Sequence, residues 1–415
     1  MSFGLFEVLG IELEYMIVEA RTLSIRSAAG EVLRDENDEI VDELFFAGTS
    51  WSNELVSHVI EVKTDAPVRT AAEAFGLFRR DLKNVMDRLQ GKGLTLLGTG
   101  MHPFMKPEEM VLWPGENGPI YQAFHRIFDC TGHGWANLQS MHLNLPFRDA
   151  REFRSLMAAV RLLLPIMPAL SASSPICESV WTGFQDYRLE VYRENAASIP
   201  SVAGQIIPEP VYDPAEFEER ILGSIYREMK GQDPEGILRH EWVNGRGAIP
   251  RFDRNAIEIR VLDTQESLEM DMAIALIIFH ALKALVEELW SDGLAQGNVA
   301  QDYLVETFRQ VCRSGGDTEI EGPLPALLGL KKNRWKVLDI WRALAETLSL
   351  PSEEGLDRSL EVLLASGSFS NRIKTALEVK ENKVYPYGIP QELKNVASLY
   401  RSLGNPLNKP LAPEF

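Results

Sequence analysis

The sequence predicts an α+β protein built around an antiparallel sheet. Segments with the alternation or the short apolar runs typical of strands concentrate before position 265, and they do not alternate regularly with helical segments. The segment 267–403 has the apolar spacing of helices almost throughout. The 415 residues contain neither an internal repeat nor a long linker. We therefore expect one compact unit, with the sheet and its flanking helices in 1–265 and a helical C-terminal part, 266–415, packed on the same unit.

The individual elements follow from periodicity and from the residues that interrupt it. Strands are expected at 6–18, 59–63, 94–97, 140–147 and 256–262. Helices are expected at 70–90, 150–170 and 214–229. Gly91 and Gly93 should end the first helix, and Pro165 and Pro168 should bend or end the second. The acidic stretch 35–43 is predicted to be a solvated turn, 103–134 a loop with one helix, and 171–204 irregular.

The composition is that of an acidic globular protein. The chain has 42 basic and 60 acidic residues, a net charge of −18. Nucleic acids and anionic membranes bind basic patches, so neither is an expected partner. The apolar run 272–286 is too short to cross a bilayer, and no secretion signal opens the chain. Three cysteines without metal-type spacing predict a cytoplasmic protein with buried structural thiols; the oligomeric state is left open.

Three of the predicted strands combine one aliphatic face with one charged face. Residues two apart on a strand share a face, and the pairs are Glu12 and Glu14, His142 and Asn144, and Glu258 and Arg260. A sheet with one side in water would explain each pair alone. Solvent faces also carry Lys, Thr, Ser and Gln, however, so the three pairs together favour a site. Neighbouring carboxylates can share divalent cations, and Arg260 is placed to contact a phosphate held by those ions.

Six short motifs resemble those of the glutamate–cysteine ligase family 2, the carboxylate–amine ligases of the glutamine-synthetase-like superfamily. Along the chain they are GIELEY (10–15), NEL with IEV (53–55 and 60–62), GTGMHPF (98–104), SMHLNL (140–145), LSASSP through TGF with Arg188 (170–188), and IEIRVLD (257–263). Each motif is short, but six in the family's order are together specific. The chain departs from the pattern at Asn144, where many members have a second histidine.

The resemblance implies an enzyme that activates an amino-acid carboxylate with ATP as an acyl phosphate and joins it to an amine, most simply glutamate to cysteine. It implies a funnel-shaped antiparallel sheet as the catalytic part, with Mg²⁺ or Mn²⁺ between nucleotide and amino acid. Carried over residue by residue, the metal ligands are Glu12, Glu14, Glu54, Glu61, His142 and Glu258. Arg260 would act on the transferred phosphate or the substrate carboxylate, as the predicted catalytic residue. Arg188, Asn144 and Arg254 are the candidates for binding substrate.

The residues by themselves support the same chemistry. A triphosphate and a carboxylate repel each other, so joining them in an acidic protein needs concentrated positive charge, from metal ions and from arginines such as Arg188, Arg254 and Arg260. The chain has no GxxxxGK[ST] sequence, which excludes a P-loop. The alternatives are a family ligase for another acid or amine, a divalent-metal hydrolase that would not need nucleotide, and a non-catalytic binding protein. The last is disfavoured because every carboxylate position is filled.

We expect the candidate metal ligands to converge on one cavity. For Glu12, Glu14, His142 and Glu258 this follows from strand parity. For Glu54 and Glu61 it follows only from the resemblance, because residues seven apart lie on opposite faces of a regular strand. Glu61 lies within a predicted strand, so its position is the better supported of the two.

Overall fold

The structure is a computed structural model that describes residues 3–353, 355–377 and residue 400. Its largest element is an eight-stranded sheet in which every described pair of strands is antiparallel. Helices cover one face of this sheet, and its other face is partly open. The predicted α+β class with an antiparallel sheet is confirmed.

The strands of the described residues lie mostly in the first 263 positions. They are β1 (Gly10–Glu19), β2 (Glu43–Phe46), β3 (Thr49–Asn53), β4 (Val59–Thr64), β5 (Leu94–Leu97), β6 (Ser140–Pro146), β7 (Ile176–Cys177), β8 (Val180–Trp181), β9 (Ala248–Arg251), β10 (Ala256–Asp263), β11 (Glu319–Glu321) and β12 (Arg334–Lys336). The large sheet has the order β2-β3-β4-β1-β6-β10-β9, and β5 pairs with the second half of β1. The pairs β7–β8 and β11–β12 form two separate two-stranded antiparallel sheets.

Helices connect the strands and continue beyond the last strand of the sheet. They are α1 (Ala29–Val32), α2 (Ala71–Gln90), α3 (Gly118–Phe128), α4 (His133–Ala136), α5 (Ala150–Leu163), α6 (Pro168–Ser171), α7 (Tyr187–Glu194), α8 (Pro214–Phe217), α9 (Gly223–Met229), α10 (Leu268–Val286), α11 (Gly293–Gly297), α12 (Gln301–Ser314), α13 (Pro323–Leu327), α14 (Val337–Thr347), α15 (Asp357–Ser366) and α16 (Phe369–Ala376). Capping residues set several starts: Thr70 Oγ1 accepts from the backbone N–H of Glu73 at 3.1 Å, and Ser267 Oγ from that of Met270 at 3.3 Å.

The alternation along β1 decides which side of the sheet is covered. The residues buried under the helical layer are Ile11, Leu13, Tyr15 and Ile17, which share one core with residues of α2, α5 and α10. The opposite face of β1 starts with Glu12 and Glu14. It continues with Met16 and Val18, which belong to a second, smaller apolar cluster. The polar part of the open face is therefore bounded by apolar residues at one end.

The C-terminal helices share the core of the sheet as far as the structure describes them. Residues of α10, α12 and α14 are buried in the same apolar cluster as β1. The division into 1–265 and 266–415 stays a prediction, and residues 378–399 and 401–415 of the second part lie outside the described residues. The expectation that this part is almost wholly helical misses the antiparallel pair β11–β12.

Several other expected boundaries are wrong. The first strand begins at Gly10 rather than at residue 6, because Phe6 lies in a turn with a positive φ of 59°. Strands β2, β3 and β9 have only four or five residues, and the segment expected to be irregular contains α7. Such short strands are stabilised by their neighbours in the sheet more than by their own sequence.

The predicted helix at 214–229 is interrupted by the π-helical segment Glu218–Leu222. The predicted break near Pro165 and Pro168 is confirmed, since α5 ends at Leu163 and α6 begins at Pro168. All three cysteines are buried, and none forms a disulfide. Within 3–353 and 355–377, no helix combines the length and the apolar character needed to cross a membrane.

Candidate active site

The open face of the sheet forms the floor of a cavity of about 520 Å³. The antiparallel register places Glu12 opposite both Lys63 and His142, and Glu14 opposite Glu61. All six predicted metal ligands line this cavity: Glu12, Glu14, Glu54, Glu61, His142 and Glu258. Their predicted convergence is confirmed, and their roles stay predictions.

Glu12 is held at the centre of the floor by the neighbouring strand β6. His142 Nδ1 lies 3.0 Å from its Oε2, and Asn144 Nδ2 donates to its Oε1 at 3.1 Å. Arg254 Nη1 lies 3.8 Å from Oε1, on a side chain that is 54% exposed. In the structure Asn144 therefore orients Glu12, while the exposed Arg254 could still contact a ligand.

His142 is surrounded by carboxylates. Burial alone would lower the pKa of this imidazole, but its hydrogen bond to Glu12 and the charges of Glu14, Glu12 and Glu258 raise the pKa to about 9. Its Nε2 lies 3.0 Å from Ser140 Oγ and 3.8 Å from Glu14 Oε1. A metal ion would compete with a proton for these ring nitrogens, since only neutral imidazole is a ligand.

Glu14, Glu54 and Glu61 form the acidic side of the cavity. Burial raises the pKa of Glu54 well above its usual range, and the charges of Glu14 and Glu61 raise it further. Burial also raises the pKa of Glu14, although its Oε2 accepts from the backbone N–H and the hydroxyl of Ser140 at 2.7 and 3.0 Å. Like charges held this close together attract a cation.

Glu54 reaches the cavity because it does not belong to a regular strand with Glu61. Strand β3 ends at Asn53, and β4 begins at Val59. Glu54 lies in the connection between the two strands, where strand parity does not apply. The expectation that strand alternation would place Glu54 and Glu61 on opposite faces is therefore wrong. The position of Glu54 follows from the path of the connection between β3 and β4.

Glu258 lies in a basic part of the same floor. Arg251 Nη1 donates to its Oε2 at 2.9 Å, and Arg260 Nε donates to its Oε1 at 2.5 Å. Burial opposes ionisation, but Arg260, His142 and Arg251 hold the pKa of Glu258 well below its usual range. Each oxygen of Glu258 accepts one guanidinium hydrogen bond and keeps a second lone pair, so the arginines orient this carboxylate without occupying it fully.

Arg260 forms the ion pair along the strand that competes with its predicted role. Its Nη1 also donates to the backbone oxygen of Asn244 at 3.4 Å. Among the described residues Nη2 has no hydrogen-bond partner, and the guanidinium lines the cavity. Pairing with Glu258 therefore orients Arg260 and leaves part of its fork for a ligand.

Arg188 is more deeply fixed than a residue of a substrate loop would be. It lies in the first turn of α7, only 2% exposed, and its Nε donates to Asp263 Oδ1. Its Nη2 donates to the backbone oxygen of Arg260 at 3.2 Å. Arg188 lines the cavity, but its placement in an irregular loop is wrong, because Asp186 caps a helix there by accepting from the Leu189 N–H.

A second cavity of about 710 Å³ adjoins the first one. Both cavities are lined by Glu12, Lys63 and Arg254. Asn144 lines the second cavity but not the first. The two spaces therefore meet at the centre of the sheet, over Glu12.

The carboxylates and His142 fit a divalent cation. Two groups have one ligand atom per residue within 4.8 Å of one another: Glu12, Glu61 and His142, and Glu14, Glu54 and Glu61. Carboxylate oxygens are the ligands that Mg²⁺ and Mn²⁺ prefer. Glu61 belongs to both groups, and Glu258 to neither, within the described residues.

Two basic residues of the cavity, Lys63 and Arg251, were not predicted from the sequence. Lys63 follows Glu61 by two positions, so strand parity places both on one face and could have identified it. Arg251 lies on the four-residue strand β9, which has no recognisable pattern. Its contact with Glu258 depends on the pairing of β9 with β10.

Comparison with known proteins gives consistent matches. Residues 8–321 match the family described as Glutamate-cysteine ligase family 2. An uncharacterized protein of Archaeoglobus fulgidus is 33% identical over 325 residues, covering 78% of this chain and 84% of that protein. A Bradyrhizobium protein named "Putative glutamate--cysteine ligase 2" is 28% identical over 325 residues, covering 76% and 71%. A solved glutamate–cysteine ligase from Francisella tularensis in complex with AMP matches with a TM-score of 0.63 at 12% identity, covering 100% and 92%, a likeness of fold.

Proposed function

We propose that this chain, which belongs to glutamate–cysteine ligase family 2 and is an ATP-dependent ligase of that type, joins glutamate to cysteine with Mg²⁺ or Mn²⁺. The observation that carries this proposal is the single cavity in which carboxylates, an imidazole and arginines meet. The AMP bound to the solved glutamate–cysteine ligase supports an adenine nucleotide as substrate.

The reaction has two displacements. An oxygen of the substrate carboxylate attacks the γ-phosphorus of ATP, the bond to the bridging oxygen breaks, and ADP leaves. The amine nitrogen then attacks the acyl carbon, loses a proton, and phosphate leaves with its bonding electrons. Both displacements build negative charge, so positioning and electrostatic stabilisation supply most of the catalysis.

The residues of the cavity have distinct proposed roles. Arg260, oriented by Glu258, contacts the transferred phosphoryl group or the carboxylate that it joins. The exposed Arg254 contacts the substrate where the two cavities meet, and Arg188 adds a fixed positive charge behind Arg260. A divalent ion, held by Glu61 with Glu12 and His142 or with Glu14 and Glu54, would neutralise phosphate oxygens.

The two adjoining cavities support two substrates that meet over Glu12. Repulsion between a triphosphate and a carboxylate is greatest at that meeting point, which is lined by Lys63 and Arg254. We therefore place the nucleotide in one cavity and the amino acid in the other, with the reacting atoms at their junction.

The remaining expectations concern partners and compartment. We propose small-molecule substrates rather than nucleic acid because the net charge is −18. Three buried free thiols support a reducing compartment, so we propose the cytoplasm. A role in glutathione biosynthesis rests on the proposed joining of glutamate to cysteine.

The test is a phosphate-release assay with ATP, MgCl₂ and glutamate, with cysteine or each other amino acid as the amine and mass spectrometry of the products. We expect γ-glutamylcysteine, no turnover in excess chelator, and at least about 10³-fold loss of rate in Glu12→Gln. Glu19→Gln, at the exposed end of the same strand, is the matched control and should keep the parent rate. A different amide product would identify another acid or amine, and turnover without nucleotide would support the hydrolase instead.

A further inference from the structure

Lys63 lies between the two cavities and lines both. Its Nζ donates to Glu61 Oε2 at 2.7 Å and to Ser52 Oγ at 2.9 Å, and it lies 3.3 Å from Glu43 Oε1. An ammonium group has three donors and no acceptor, so three oxygens around it use its full capacity. The group is held by residues of β2, β3 and β4 rather than left mobile in solvent.

The surrounding carboxylates keep this ammonium charged. Burial by itself would lower the pKa of Lys63, but Glu61, Glu43 and Glu12 raise it above its usual range. Lys63 in turn holds the pKa of Glu61 down, at about 2, against the opposing effect of burial. Lys63 and Glu61 therefore form an ion pair without net charge beside Glu14 and Glu54, the other two carboxylates of the acidic side.

The contact with Lys63 occupies one carboxylate oxygen of Glu61, the residue that belongs to both acidic groups. Glu61 Oε2 accepts from Lys63 and also from Ser52 Oγ at 2.7 Å. Only Oε1 is left for a divalent ion, although Glu61 belongs to both acidic groups. Filling both groups through separate oxygens of Glu61 would require Lys63 to leave.

We propose that Lys63 is a resident cation of the site, which occupies Glu61 Oε2 and limits Glu61 to one divalent ion. This inference rests on the proposed function, because it takes the acidic groups to bind divalent ions. Without the ammonium, Glu61 Oε2, Glu43 Oε1 and Ser52 Oγ would present three oxygens to a further ion.

The experiment counts bound Mn²⁺ on the full chain without nucleotide, from the electron paramagnetic resonance signal of free Mn²⁺ during a titration. Lys63→Met and Lys63→Gln both remove the charge, and we expect each to bind one more Mn²⁺ per chain than the parent. Lys63→Arg keeps the charge and should bind the parent number. Lys92→Met removes an ammonium group that pairs with Glu31 outside both cavities, and it is the matched control with the parent number.

Circular dichroism of each variant verifies the fold before the titration, and two neutral variants are used because their packing differs. If the parent binds Mn²⁺ and the folded neutral variants bind the same number, the inference about Lys63 is overturned while the proposed function stands. A parent chain that binds no Mn²⁺ contradicts the metal site of the proposed function and overturns the inference with it.

Discussion

The cavity has two carboxylate regions of opposite electrostatic character. Around Glu258, two arginines donate to the two carboxylate oxygens, and the pKa of this residue lies well below its usual range. Around Glu54, the neighbours are Glu14 and Glu61, and the pKa is raised well above its usual range. Both residues line the same cavity, yet arginines of the protein balance the charge of Glu258, and no such arginine pair balances Glu54 among the described residues.

On the proposed function, the arginines would bind substrate charge on one side of the cavity and a metal ion would bind the carboxylates on the other. A ligase of this kind must hold polyanionic substrates, and the arginine side supplies fixed donors with directional geometry. The side of Glu54 has excess negative charge, which a divalent cation relieves. Substitutions in the two regions should therefore change stability in opposite directions, and this comparison can be tested.

The largest expected effect is on the arginine side. In Glu258→Gln the two arginines lose their buried counter-ion, so we expect a loss of about 3 kcal/mol in the free energy of unfolding at pH 7. The loss should shrink as the pH falls below about 4.5, because Glu258 is then protonated in the unfolded parent. Urea unfolding in excess chelator measures it.

The control for this variant is Glu190→Gln, which breaks a surface pair with Arg193 and should cost at most about 1 kcal/mol. Equal unfolding free energies of Glu258→Gln and the parent would contradict the contrast between the two regions, because Arg251 and Arg260 would then not depend on this carboxylate.

The next effect separates the two roles of Arg260. Lysine keeps the charge near Glu258 but loses the planar fork, so we expect Arg260→Lys to lower kcat about 100-fold, a barrier increase of about 3 kcal/mol. Because lysine keeps the positive charge beside Glu258, the unfolding free energy should change by less than in Glu258→Gln. Steady-state assays with ATP and amino acids, together with urea unfolding, give both numbers. A parent-like kcat would leave Arg260 only its ion pair with Glu258.

The smallest effect has the opposite sign and lies on the acidic side. Glu54→Gln removes like-charge repulsion, so we expect the free energy of unfolding in chelator to rise by about 1 kcal/mol at pH 8. The raised pKa of Glu54 means that ionisation destabilises the native state above about pH 4.5, so the gain should disappear as the pH falls to that value.

Excess Mn²⁺ should reverse the sign of the Glu54→Gln effect, because the variant then lacks a ligand that the parent has. Thermal unfolding with chelator and with Mn²⁺ measures both conditions. Glu7→Gln, an exposed carboxylate paired with Arg148, is the control and should show no gain. Destabilisation of Glu54→Gln in chelator would contradict the view that this side is strained by its own charge.

Much of the site was predictable because strand parity is a local property. Glu12, Glu14, His142 and Glu258 lie on strands whose alternation is visible in the sequence, and all four reach the cavity. Glu54 was predictable only from the family resemblance, since its position depends on a connection between strands. Arg251 was not predictable, because its short strand acquires its place only by pairing with β10.

Strand β10 also contains a β-bulge that could not be predicted from its sequence. The register with β6 shifts between Ile259 and Leu262, so that Arg260 and Val261 together lie opposite His142. Such a β-bulge redirects side chains and is common beside active sites. It places Arg260 against Glu258 on the cavity floor and leaves Asp263 buried beside Arg188.

The sequence by itself determined the α+β class, the polar faces of three strands and most of the acidic, basic and histidine side chains that line the cavity. The tertiary structure decided the charge environment of each residue. Coulomb energy and desolvation depend on distance and burial. Those are set by tertiary contacts between residues far apart in the chain: strand register brings Glu12 to His142, and the packing of α7 against β10 brings Arg188 to Asp263. For this reason a pattern of glutamates predicts a site. Only the folded chain distinguishes Glu258, which pairs with two arginines, from Glu14, Glu54 and Glu61, which we propose bind a cation.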